Sequence, residues 1–114
     1  MTIQRGEVWL AELGSTRGPE QAGTRPVLIF RNNSINRFTS TFLPIPFTTN
    51  LRRASLPTCV LIQKGEGGLV NDSVALCHQL RVLEKSRLKH RLGSISDQRL
   101  SNVEHCVLFT TGII

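Results

Sequence analysis

Glu20-Gln21-Ala22-Gly23-Thr24-Arg25-Pro26-Val27-Leu28-Ile29-Phe30-Arg31-Asn32 joins a polar, glycine-containing stretch to four consecutive apolar residues. That apolar run has the length of a buried strand and is too short to be a helix of its own. Pro26 fixes its own φ and offers no N–H, so it suits the first position of a strand. It also drives Arg25 out of the α region into an extended conformation. The reading puts one guanidinium in a loop at the mouth of a core strand. Its planar fork of donors matches a phosphate or a carboxylate.

Working outward, residues 7–13 mix apolar and acidic side chains around Trp9 and read as a first strand, and residues 14–24 read as a loop with three glycines and one proline. The second strand is expected over 26–31, followed by an irregular polar segment, 32–41, with room for one helical turn. In 42–48 two prolines, Pro44 and Pro46, argue for an edge strand or a break in pairing. Residues 58–62 read as a strand, 66–68 as a turn, and 73–83 as a long, bent strand. The charges Lys85, Arg87, Lys89 and Arg91 are assigned to a short helix over 85–92, stopped at Gly93. Ser96 is an expected N-cap with Asp97 in the first turn. From there Leu100, Val103 and Val107 recur at helical spacing, and Gly112 is the expected stop. About five strands with one packed helix make a mainly β (α+β) chain, a small and strongly curved β-barrel.

A chain of 114 residues, 39% hydrophobic, suits one domain spanning 1–114 with its own core. Fourteen Lys and Arg against eight Asp and Glu give a net charge of +6 and a pI near 10.3. A polyanionic partner such as nucleic acid explains that balance as well as a merely solvated basic surface does. Cys59, Cys77 and Cys106 are odd in number, widely spaced and set among Val and Leu, as buried thiols are; with no CxxC or Cys/His zinc spacing, they point to a reducing cytoplasm. The N-terminus lacks the apolar core of a signal peptide. No apolar run nears the ~18 residues of a membrane span. No nucleophilic triad can be assembled. With two Asp and three scattered His, no metal-ligand cluster is expected either.

Several short motifs recur in order along nearly the whole chain: Arg5-Gly6-Glu7-Val8-Trp9, Glu20-Gln21 through Arg25-Pro26, Pro46-Phe47-Thr48-Thr49, Asp72-Ser73-Val74, Gln79-Leu80-Arg81, and Leu92-Gly93 before a closing helix. This ordered set resembles the MazF/PemK family of toxin endoribonucleases (mRNA interferases). The resemblance implies an SH3-like barrel with a C-terminal helix, a cytoplasmic homodimer, and the toxin role in a type II toxin–antitoxin pair with a small acidic, MazE-like antitoxin. It also implies cleavage of single-stranded RNA without metal or cofactor. In that route the 2′-OH attacks the neighbouring phosphate, leaving a 2′,3′-cyclic phosphate and a 5′-OH. The enzyme has only to align the groups, move protons and stabilise charge.

Arg25 is the first catalytic candidate, as a phosphate clamp; its plainer reading is a surface Arg paired with Glu20. Thr48, which the resemblance sets opposite the Arg, is the second; its hydroxyl can donate to a phosphate oxygen, or the residue can simply pack in a strand. Glu20 is the third, as base or as the group orienting Arg25. Where some family members carry His before the Arg, this chain has Thr24. Gln21, Asn32, Thr49, Ser73 and Gln79 are candidate RNA contacts; Asn32, Ser73 and Gln79 equally suit caps or backbone partners. Phe38, Phe42 and Phe47 suit base stacking or, more simply, the core. Two alternatives remain open here: a gyrase-binding toxin of the CcdB type, disfavoured because the only Trp is Trp9, and a noncatalytic SH3-like nucleic-acid-binding module.

Overall fold

The structure, a computed structural model, describes residues 2–14 and 22–114. Eight strands are described: β1 (Glu7–Glu12), β2 (Thr24–Ile29), β3 (Thr41–Phe42), β4 (Pro44–Thr48), β5 (Cys59–Ile62), β6 (Ser73–Leu76), β7 (Leu83–Glu84) and β8 (Leu88–Ser94). A short helix α1 (Asn33–Asn36) follows β2, and the chain closes with α2 (Asp97–Thr110). Six strands form one antiparallel sheet in the order β5-β6-β4-β2-β1-β8; β3 and β7 form a separate two-stranded ribbon.

Strand alternation sorts the apolar side chains onto two faces. Val8, Leu28, Ile45, Phe47 and Ala75 point to one side and meet Val103 and Cys106 of α2. Trp9, Ala11, Val27 and Ile29 point to the other, where Phe42 of the ribbon packs among them with Leu83 beside it. A third, small cluster joins Cys59, Val74 and Leu76 beneath Ala54. Fully burying side chains such as Leu28, Ile45 or Phe42 contributes about 1.5–3 kcal/mol each. These residues lock the register that places everything else.

The closing helix matches its sequence signals. Ser96 Oγ accepts the Arg99 N–H at 3.2 Å, a cap worth about 1 kcal/mol. Val103 is buried, with Leu100 and Val107 packed beside it. Gly112 follows the helix at φ +81°, which a glycine reaches without strain.

Three expectations fail for identifiable reasons. First, β4 is not an edge: β2 lies on one side and β6 on the other. The Leu43 carbonyl accepts the Phe30 N–H at 3.0 Å, so odd-numbered backbone groups face β2. Pro44 and Pro46 therefore turn their missing N–H groups the other way, and β6 pairs only with Phe47 and Thr48. The prolines cost the ladder nothing. Second, 73–83 is not one strand. After Leu76 the chain makes a 3₁₀ turn, Cys77–Gln79, before the two residues of β7. Third, the expected helix over 85–92 is one 3₁₀ turn, Lys85–Arg87, leading into β8. Charges at every second residue are strand periodicity, and that signal outweighs helix propensity. Gly93 is not a stop but a residue of β8 opposite Val8. It is glycine because a Cβ there would lie 2.7 Å from the Gly67 carbonyl carbon.

Candidate functional site

Arg25 lies one residue inside β2 rather than in a loop ahead of it: it pairs with Ala11 across the sheet. Its half-buried side chain is anchored through Nε, which donates to the Ala22 carbonyl at 2.7 Å. The two terminal nitrogens have no partner among the described residues. A guanidinium held at its base, with its outer edge unpartnered among the described residues, is the form that receives an anion on two parallel hydrogen bonds. Three other arginines carry an acidic partner. Arg5 is paired with Glu104, Arg91 with Glu7 and Arg99 with Glu66.

Thr48 ends β4, opposite Val74 of β6, and is 92% buried, with 8% of its surface exposed. Its hydroxyl oxygen accepts the Asn50 N–H at 3.2 Å. That leaves the hydroxyl proton without an acceptor among the described residues. Asn50 in turn caps the 3₁₀ turn Leu51–Ser55 through a 3.3 Å bond to the Arg52 N–H. The β2–β4 pairs Ile29↔Pro44, Leu28↔Ile45 and Val27↔Pro46 have residue numbers that sum to a constant. Continuing that register by two residues sets Arg25 across from Thr48.

Thr49 and Ser73 sit at the same end of the sheet, but strand alternation turns them to its other face. There they border a depression of about 330 Å³ walled by Leu10, Pro26, Leu69, Val70 and Leu92, with Asn71 at its rim. Leu10 and Pro26 are a cross-strand pair adjoining Ala11↔Arg25. Ser73 is buried, its hydroxyl donating to the Asn71 carbonyl at 2.9 Å.

Asn32 and Gln79 are not brought to this end. Asn32 Oδ1 caps α1, accepting from the Ser34 N–H at 2.9 Å and the Ser34 hydroxyl at 2.7 Å. It follows the far end of β2. Gln79 lies in the turn after β6, two residues before Arg81, whose N–H reaches the Pro44 carbonyl at the far end of β4 from Thr48. At 3.3 Å per residue, four residues along β4 separate the two groups by about 13 Å. Glu20 and Gln21 fall outside the described residues. Phe42 and Phe47 are core residues, while Phe38 is 82% exposed.

Two groups that the sequence reading passed over stand close by. Glu12 lies across from Thr24 and accepts the Thr24 hydroxyl at 2.6 Å and the Gly14 N–H at 2.7 Å. The Thr24 bond, then the Gly14 bond, hold its carboxyl below the usual carboxylate range. No motif marks it, because the pairing exists only once the β1–β2 register is set. Asn71 precedes the Asp72-Ser73 motif, and only its turn chemistry would have drawn notice.

All three cysteines are buried and free. Burial raises the pKa of Cys59, and that of Cys77 further, so neither is a ready thiolate. Among the described residues no three His, Cys, Asp or Glu side chains stand where they could hold a metal ion, and no helix is long and apolar enough to cross a membrane.

Comparison with known proteins agrees with this architecture. The family described as "PemK-like, MazF-like toxin of type II toxin-antitoxin system" matches residues 4–109. Endoribonuclease MazF of Staphylococcus saprophyticus is 37% identical over 111 residues, which are 97% of this chain and 92% of that protein. Among solved structures, MazF (Form-I) from Deinococcus radiodurans superposes with a TM-score of 0.84 at 22% identity, covering 98% of each chain. An endoribonuclease in complex with its cognate antitoxin from a mycobacterial species gives 0.80 at 24% identity, covering 96% of this chain and 95% of that one. At such identities the two structures speak to the fold, mainly β with a C-terminal helix, while the family match and the 37% relative speak to descent. The chain belongs to the PemK-like, MazF-like toxins of type II toxin–antitoxin systems.

Proposed function

We propose that this chain is the toxin of such a pair, an endoribonuclease that cuts single-stranded RNA sequence-selectively by activating the RNA's own 2′-OH, with no metal in the step. The observation that carries the reading is Arg25: a strand-borne guanidinium, anchored at Nε, with its terminal nitrogens unpartnered among the described residues and with Thr48 opposite when the β2–β4 register is extended. The 2′-OH, losing its proton, attacks the adjacent phosphorus, the bond to the 5′-oxygen breaks as that oxygen takes up a proton from solvent, and the products are a 2′,3′-cyclic phosphate and a 5′-OH. Arg25 grips the phosphate and stabilises the charge that grows on it, the kind of term that dominates such reactions. Thr48 donates a hydrogen bond from its hydroxyl, which has no acceptor among the described residues, to a non-bridging oxygen. Glu20 accepts the 2′-OH proton or orients Arg25. An unperturbed guanidinium, with a pKa above ~12, is a poor base, so Arg25 acts electrostatically.

In this reading Thr49 contacts the RNA near the cut, the buried Ser73 supports that contact by holding the Asn71 carbonyl, and Gln21, Asn32 and Gln79 contact the RNA further out. The chain forms one toxin domain over 1–114. Its fold is read as an open SH3-like barrel, a reading supported by the six-stranded antiparallel sheet and the two-stranded ribbon. It works in the cytoplasm as a homodimer, and a small acidic antitoxin meets its net charge of +6. The gyrase-binding alternative draws no support: Trp9 is 8% exposed and tied to Glu7 through its indole N–H at 3.1 Å.

The test is a long defined RNA incubated with purified protein in EDTA. Discrete fragments with 5′-OH ends are expected. Cleavage that requires magnesium, or none at all, rejects the reading.

A further inference from the structure

We propose that the depression beside Thr49 receives the unstacked base of a nucleotide flanking the cleaved phosphate, and that the Asn71 amide reads its edge. This rests on the endoribonuclease reading and adds to it a residue that determines cleavage specificity.

The placement comes first. Thr49 follows Thr48 directly, and Pro26 follows Arg25, so the depression and the Arg25–Thr48 pair share one end of the central strands. They point to opposite faces because they are one residue out of phase. A strand of RNA gripped at Arg25 reaches the depression by turning over that end of the sheet. Sequence-selective proteins recognise single-stranded RNA in this way, splaying bases out of the stack and bonding their edges.

The chemistry of the walls comes next. Leu10, Pro26, Val70 and Leu92 present apolar surface, and Val70 is 78% exposed. At about 330 Å³ the space is at the small end of ligand pockets, the scale of one ring system. An apolar slot gives a base somewhere to go but cannot tell one from another. Discrimination needs a polar group of fixed orientation, and Asn71 is that group. Its side-chain amide has no hydrogen bond among the described residues. It offers an acceptor and two donors, the set that distinguishes base edges.

The loop that carries it is braced on every side. The Gly65 N–H bonds the Leu69 carbonyl at 2.8 Å, the Lys64 N–H bonds Asp72 Oδ1 at 2.8 Å, and the buried Ser73 hydroxyl bonds the Asn71 carbonyl at 2.9 Å. An amide with no partner among the described residues, on a loop fixed at three points, is preorganised for a ligand. Ser73 is thereby a positioning residue, acting through Asn71.

The experiment compares wild type, Asn71→Asp and Asn71→Ala on a randomised single-stranded RNA pool in EDTA, sequencing the cut ends, with thermal melts and sedimentation alongside. Asn71→Asp keeps the shape but replaces two donors with acceptors. The expected result is an altered base preference at one position flanking the cut, with the other positions unchanged. On the best wild-type site the rate should fall about 5- to 150-fold, the discrimination typical of a good base-edge contact. A preference profile identical to wild type in both variants overturns the proposal. So does a uniform loss at all sites. A change in sedimentation with the profile unchanged gives the depression to a second copy of the chain and also overturns it. If wild type cuts no RNA, the endoribonuclease reading has failed, a result distinct from a wild type that cuts with variants that match it.

Discussion

Arg25 and Thr48 fall opposite one another when the β2–β4 register is carried two residues past Val27↔Pro46. The ladder itself ends at Val27↔Pro46, and strand alternation puts Arg25 on the face of Val27 and Thr48 on that of Pro46, which is one face of the sheet. A charged donor fork and a neutral hydroxyl are thus mounted on neighbouring central strands, not on independent loops. Both strands are fixed by buried residues, Val27, Leu28 and Ile29 on one and Ile45 and Phe47 on the other. The core therefore sets the spacing of the two groups.

Arg25→Ala is expected to abolish cleavage while leaving the fold intact. The backbone stays in the ladder, and the loss is the Nε bond to Ala22, worth about 1 kcal/mol net. Removing a preorganised donor from a developing oxyanion costs on the order of 100- to 1000-fold in rate. Arg25→Lys restores little, because an ammonium keeps the charge without the fork. Single-turnover rates on a short RNA with one mapped site, beside thermal melts, decide it. A near wild-type rate for Arg25→Ala removes the site assignment; an unfolded protein makes Arg25 a structural residue.

Much of the fold could be read from local patterns: β1, β2, β5 and the capped α2 follow from apolar runs, turn residues and Ser96. What could not be read was long-range. The centrality of β4 depends on which way Pro44 and Pro46 turn their nitrogens, and no proline count reveals that. The strand β8 was hidden because Lys85, Arg87, Lys89 and Arg91 were weighed by helix propensity and not by their period. At the candidate site, Arg25 stood out by its place before Pro26 and a core strand, and Thr48 was proposed through the family resemblance. The depression with Asn71 was not, since its walls come from five separate stretches of chain, which meet only once the sheet is assembled.

Stability should fall as the pH drops below about 5, in part through Glu66. Its carboxylate takes the Ser96 N–H at 3.0 Å, the Ser96 hydroxyl at 2.9 Å and the Arg99 Nε at 3.2 Å. Burial alone would raise its pKa, but the two Ser96 bonds and then Arg99 outweigh that and hold it below its ordinary value of 4.5. A folded-state pKa below the unfolded one means that the unfolded chain binds more protons. The contribution is therefore complete above the unfolded value and is lost as pH falls through the folded one. Glu66→Gln should lower the melting temperature at pH 7 and narrow the gap to wild type in acid. A gap that stays constant from pH 7 to pH 3 would refute this.

Gly93→Ala should destabilise the protein by about 1–3 kcal/mol, as overpacking typically does. The added methyl would meet Gly67 carbonyl atoms at 2.7 and 2.9 Å and the Gly68 nitrogen at 2.9 Å, all backbone. Neither side can yield by rotating a side chain, so β8 or the Glu66–Gly68 turn must shift. Chemical denaturation measures it, and a loss below ~0.5 kcal/mol would show that the turn moves freely. Because that turn leads into Leu69 and Asn71, the variant should also blur the choice of cleavage site.

Thr48 separates packing from chemistry, because its two isosteres divide its functions. Thr48→Val keeps the β-branched shape and loses the hydroxyl; Thr48→Ser keeps the hydroxyl and loses a methyl. The hydroxyl oxygen accepts the Asn50 N–H at 3.2 Å, and Asn50 is exposed, so water can take over that bond in the Val variant. Both variants should therefore melt within about 1 kcal/mol of wild type, the net value of one ordinary hydrogen bond or of a single methyl. In cleavage they should part. Thr48→Ser retains the donor to the phosphate oxygen and should stay near wild type. Thr48→Val should fall by about 5- to 10-fold, the worth of a neutral donor, and so by less than Arg25→Ala, whose missing bonds are charge-assisted. Single-turnover rates on the same short RNA give the order directly. If Ser and Val lose activity equally, Thr48 serves the strand and not the phosphate, and the pairing with Arg25 is one of position only.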